Sequence, residues 1–114
     1  LSRRYRALND LYYGPAIETD DEIALEWARI PHFYYDFYVY VYATSFAAAV
    51  AISNRILTEG QPAVDDYLSF LSGGCSKSPI ELLRGAGVDM ASGEAVDAAL
   101  DEFAKLVDEL SKLL

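Results

Sequence analysis

Between Pro31 and Gly60 the chain has no glycine and no proline, and residues 33–52 carry a single charge, Asp36. A stretch that long without a breaker has to adopt one kind of backbone structure and move its side chains out of water. Its first part, PHFYYDFYVYVYATSF, holds the only histidine, His32, beside Tyr34, Tyr35, Tyr38, Tyr40 and Tyr42. Propensity alone reads FYVYVY as a strand, because aromatic and β-branched side chains suit a pleated surface. The alternation, however, is apolar with aromatic, so no polar face of period two exists. The AAAVAISNRIL that follows is a good helix former. The reading is one long helix from about residue 31 to 59, with Pro31 in its first turn and Gly60 just past its last. Being apolar on all sides, it should be buried among other helices. Its length raises a membrane span. Asp36, the tyrosines and the lack of a basic flank before it favour a buried helix and no membrane association.

The remaining chain also reads as helical. Leu1, Tyr5, Leu8, Leu11 and Tyr12 recur at helical spacing until Gly14-Pro15. Asp20 or Asp21 is an N-cap for a segment ending before Pro31. A fourth helix spans about 62–72, with Val64, Tyr67, Leu68 and Leu71 inward and Asp65 and Asp66 outward. Ser78-Pro79-Ile80-Glu81 is a capping box with proline at its first turn. Ser92 caps a last helix whose stripe is Val96, Leu100, Phe103, Val107, Leu110 and Leu114, with Asp101–Lys105 and Asp108–Lys112 pairs on its wet side. The expected fold is all-α: an irregular multi-helix bundle of about six helical segments in a single domain over 1–114, with one long buried helix near 31–59. The chain opens on Leu1 in sequence that already reads as helix, so a piece of a longer polypeptide is expected.

The totals exclude several functions. The net charge is −9 and the pI 4.3, against nucleic acid and anionic membrane surfaces, both of which call for clustered Lys and Arg. A single cysteine, Cys75, allows no internal disulfide, and a reducing cytoplasm is the economical compartment. Cys75 and His32 could form a nucleophile pair, although an ordinary loop thiol is the favoured reading. One His, one distant Cys and no HExxH make metal ligation by this chain alone improbable. No phosphate loop and no nucleophile elbow is present.

In helical projection Tyr35, Tyr38 and Tyr42 share one face, with His32 one turn earlier. Spacing alone favours a core stripe whose hydroxyls reach partners at the core's edge. The alternative is functional, since neutral imidazole and phenol donors suit a developing oxyanion. Phe33, Phe37, Val41 and Tyr34 belong to the core on either reading.

The run ALEWARIPHFYYDFYVYVYATSFAAAVAISNRIL, then GQPAVDDYLSFLSGGCSKSPIELLRGAGVDM, resembles the C-terminal end of the oligoendopeptidase F family, cytosolic zinc metallopeptidases related to thimet oligopeptidase. The upstream YYGP and the closing amphipathic helix extend the resemblance over essentially the whole chain. It implies an all-α fold with a long channel for short peptide substrates. It implies zinc held by an HExxH helix and a downstream glutamate, in the remainder of the peptidase chain and not in this sequence. It also implies that His32, Tyr35 and Tyr42 orient the substrate and stabilise the tetrahedral oxyanion, with Tyr38 and Ser45 as substrate contacts. The sequence departs from the family pattern at Val41, where glutamine is expected, and at Ser45, where glycine is expected. The competing expectation is a non-enzymatic helical interaction module, and on either account an isolated chain of this kind should form a homo-oligomer to cover apolar surface.

Overall fold

All 114 residues are described by the computed structural model. Five α-helices, α1 (Ser2–Tyr13), α2 (Tyr40–Glu59), α3 (Gln61–Ser72), α4 (Pro79–Gly85) and α5 (Glu94–Leu113), combine with two 3-10 helices, Asp21–Arg29 and Pro31–Tyr34. There is no strand, and the all-α reading holds. The chain forms two compact units, Leu1–Tyr40 and Val41–Leu114.

In the first unit, α1 stops where expected: Gly14, at φ 68°, donates its N–H to the Asp10 carbonyl. Asp20 caps the first 3-10 helix by accepting the Ile23 N–H at 3.1 Å. Arg6 ties the connecting loop to α1, reaching Asp10 at 3.0 Å and the Asp20 carbonyl at 2.8 Å. Trp27 donates to the Ser2 hydroxyl at 2.9 Å, which joins the 3-10 helix to the start of α1.

The long helix over 31–59 does not form. A short 3-10 helix ends at Tyr34, Asp36 and Phe37 take positive φ of 49° and 57°, and α2 starts only at Tyr40. Aromatic and β-branched residues are weak helix formers, so the run holds little intrinsic preference to resist a break. Asp is among the few residues that enter the left-handed region readily. Asp36, read as a lone charge, acts as the breaker that no Gly or Pro supplies. Nor is the helix buried all round: α2 buries only Ala47, Ala48 and Ile52, while Phe37 and Tyr34 are exposed and not core.

In the second unit the core is a cluster of small residues, Ala48, Ile52, Ala86, Val88 and Ala95, with Ala51, Ile56, Tyr67, Phe70, Leu83 and Met90 packed around it. α3 is turned from its expected orientation. Ala63, Tyr67 and Phe70 face inward, whereas Leu68 and Leu71 are exposed. The turn also brings Asp66, still half-exposed, onto Arg55. Only the first turn of α5 is buried, through Ala95, and its apolar stripe from Leu100 onward is exposed. Gly93, not Ser92, holds the cap position of α5; the Ser92 hydroxyl instead accepts the Glu94 N–H at 3.4 Å. Lys105 pairs with Glu102, three residues back, instead of Asp101. The α4 capping box is present as expected: Ser78 and Glu81 satisfy each other's N–H groups.

Arg55 on α2 connects these elements. Its guanidinium pairs with Glu59 at 2.7 Å and with Asp66 of α3 at 3.2 Å, and it donates to the Ala86 carbonyl just beyond α4. Gly87, at φ 76°, lies directly under it, and a Cβ there would overlap the guanidinium. Gly87→Ala therefore meets both a backbone penalty and a displaced Arg55. It should destabilise the second unit by about 1–3 kcal/mol, read as a shifted urea midpoint.

Three carboxylates of this unit bind protons less readily folded than unfolded. The Arg55 hydrogen bond holds Glu59 below its ordinary 4.5. The Ser78 hydroxyl and amide do the same for Glu81, and the Ala91 N–H followed by Arg84 does so for Asp89. A lowered folded pKa adds stability above the unfolded value, and that stability is lost as protons bind. The unit should therefore keep this contribution near neutrality and lose it progressively as pH falls below 4.5 through the lowered folded values. Equilibrium unfolding followed by circular dichroism against pH measures this, and a rise in stability on acidification would contradict it.

Candidate functional site

His32 is placed by local chemistry. Pro31 pre-sets the first turn of its 3-10 helix. The His32 carbonyl accepts the Tyr35 N–H at 3.3 Å and the Tyr38 N–H at 3.0 Å, which folds the chain after Tyr34 back over the histidine. This return brings the Tyr38 ring parallel to the imidazole, with centroids 6.4 Å apart and planes 8° apart. That is an offset-stacked aromatic contact. His32 and Tyr38 are thus brought together, but by the turn at Asp36 and Phe37 and not by a shared helical face.

Tyr34 was not among the expected site residues, yet it anchors this segment. Its hydroxyl donates to the Ala28 carbonyl at 2.8 Å, fastening the second 3-10 helix to the first. Periodicity carries no signal for that bond. Tyr35 caps the same 3-10 helix, and its ring is 70% exposed. In the second unit, Tyr42 lies in the first turn of α2 with its side chain 60% exposed. Ser45 follows three residues later on the same helical face and is also exposed. Between them the Thr44 hydroxyl bonds back to the Val41 carbonyl at 3.0 Å. The single-helix projection that aligned Tyr35 and Tyr38 with Tyr42 does not apply, because residues 35–39 are not helical.

These groups are donors: phenols, a serine hydroxyl and an imidazole. No three His, Cys, Asp or Glu side chains converge anywhere in the structure. The residues present do not fit a zinc ion. Cys75 is exposed in the loop after α3 and carries a free thiol. No helix is long and apolar enough to cross a membrane.

This is an all-α chain with one imidazole stacked against a tyrosine ring, several exposed phenols and no cluster of metal-ligating side chains. Comparison identifies its class. Residues 1–102 match the sequence profile of peptidase family M3. Oligopeptidase PepF of Bacillus subtilis (strain 168) is 52% identical over 114 residues, which is 100% of this chain and 17% of that protein. The plasmid oligoendopeptidase F of Lactococcus lactis subsp. cremoris is 43% identical over 114 residues, again 100% of this chain and 19% of the relative. The crystal structure of oligoendopeptidase-F from Enterococcus faecium superposes with a TM-score of 0.87 at 44% identity, over 99% of this chain and 22% of that one. The chain belongs to peptidase family M3, in its oligoendopeptidase F branch. It spans about a fifth of the length of these relatives.

Proposed function

We propose that this chain is the C-terminal helical region of a zinc-dependent oligoendopeptidase that hydrolyses peptide bonds in short peptides in the cytoplasm. The remainder of the peptidase chain supplies the zinc site and the base. This region supplies hydrogen-bond donors to the reacting peptide. When water adds to the scissile carbonyl, the oxygen becomes an oxyanion, and donors already in place stabilise it without reorganising. His32 and Tyr42 take that role, with Tyr35 as a further phenol. Tyr38 orients His32 by stacking and touches the substrate, and Ser45 offers a hydroxyl on the turn of α2 after Tyr42.

The observation that carries this reading is exposure. A core stripe would bury its phenols, yet Tyr35 and Tyr42 are 70% and 60% exposed, while the His32 backbone is held by two hydrogen bonds. In the full-length peptidase, His32→Ala and Tyr42→Phe should each lower kcat about 10²-fold with KM changed much less. Unchanged kcat in both variants would assign these residues to packing. The 114-residue chain alone should show neither turnover of a fluorogenic peptide nor stoichiometric zinc.

The exposed stripe of α5, with Leu100 60%, Phe103 65% and Leu110 55% exposed, supports a second reading as a helical interaction module. On that reading the isolated chain self-associates through α5. Light scattering should then report a dimer or larger that Phe103→Glu converts to monomer, and a wild-type monomer would count against it.

A further inference from the structure

Within the second unit, α2, α3 and α4 wall an open groove of about 530 Å³. Its floor is one face of α2. Ser45, Ala49 and Ser53 form a row of small residues at every fourth position, and Ile52 runs beside them. Tyr67 and Phe70 of α3 form one wall, and Leu57, 80% exposed, closes the far end. From Ser45 to Leu57 the floor is roughly 18 Å long at about 1.5 Å per helical residue. Polar groups in the lining are confined to the hydroxyls of Ser45, Ser53 and Tyr67 and no charged side chain lines the groove.

That lining selects the kind of occupant. An extended segment would bring unpaired N–H and C=O groups into an apolar trough with almost nothing to bond them. A helix satisfies its own backbone and needs only apolar side chains on one face, the helix-in-groove mode. Small residues along the floor let its axis come close. The source of the helix follows from length. The same fold is found at a TM-score of 0.87 in a solved relative of which this chain covers only 22%, so polypeptide to cover the groove is abundant in such a protein.

We propose that the groove seats an amphipathic helix of the peptidase polypeptide lying outside these 114 residues. The groove is then the seam that joins this region to the rest of the enzyme. The proposal rests on the peptidase reading above, and it gives Ser45 a packing role at one end of the floor as well as a substrate contact.

The test is thiol labelling in two contexts. One is the 114-residue chain alone. The other is a full-length chimera in which this chain replaces the matching segment of Bacillus subtilis oligopeptidase PepF. Ala49→Cys and Leu57→Cys are made singly in a Cys75→Ser background, with Asp101→Cys, on the polar side of α5, as reference. Maleimide modification is followed at each position by peptide mass mapping. Relative to the reference, both groove positions should react about 100-fold more slowly in the chimera than in the isolated chain, since labelling then needs local opening. Equal relative rates in the two contexts would overturn the proposal. So would protection already present in an isolated chain that light scattering shows to be a dimer, because a second copy would then be the occupant. The functional reading fails separately. Protection in the chimera with unchanged kcat in its His32→Ala variant would leave the groove assignment standing and remove the catalytic one.

Discussion

Arg55 is the contact on which the second unit depends. The core of that unit is built of alanine, valine and isoleucine, and no large side chain is fully buried. Apolar burial on that scale orients helices weakly, because small residues offer few interlocking shapes. A guanidinium is directional. By engaging Glu59, Asp66 and the Ala86 carbonyl at once, Arg55 sets the rotation of α3 about its axis and the height of the α4 end against α2. Gly87 suits the position twice over, since it adopts its left-handed φ without penalty and leaves free the space that a Cβ would take from the guanidinium. The same face of α3 that brings Asp66 to Arg55 turns Tyr67 and Phe70 inward, where the two rings line the groove.

The first unit is organised by a different device. The chain between Tyr34 and Tyr40 neither continues a helix nor becomes a strand. It folds over His32, with the histidine carbonyl collecting two N–H groups and the Tyr38 ring lying along the imidazole. Positive φ at two non-glycine residues in succession, one of them Phe37, is costly backbone. Such conformations persist where the surroundings over-determine them, and here the Tyr34 bond to Ala28 and the paired amides do so. The cost falls beside His32, the group proposed to meet the substrate, where preorganisation would matter most.

Much of the fold was legible in the sequence because it is written in local chemistry. The Gly14 stop, the Asp20 cap, and the Ser78–Glu81 capping box with Pro79 each involve residues within a turn of one another, so composition and spacing suffice. The candidate residues were legible as a list and not as a geometry. His32, Tyr35, Tyr38, Tyr42 and Ser45 were named from the aromatic run and its resemblance to a family. The helical face that seemed to unite them was an artefact of assuming one period across residues 31–59, and no pattern reading could see that Asp36 would take positive φ.

The sequence by itself determined that this chain is helical, where most helices start and stop, and that it belongs among the M3 peptidases. Those properties depend on neighbours along the chain. Tertiary structure alone decided which face of α3 turns inward, that α2 begins at Tyr40, and that an apolar groove stays open along it. The α3 face and the groove depend on groups far apart in sequence, such as Arg55 with Asp66 and Ala86, and the start of α2 on the fold-back of the chain onto the His32 carbonyl. A hydrophobic period records that a face is apolar and leaves open what will cover it.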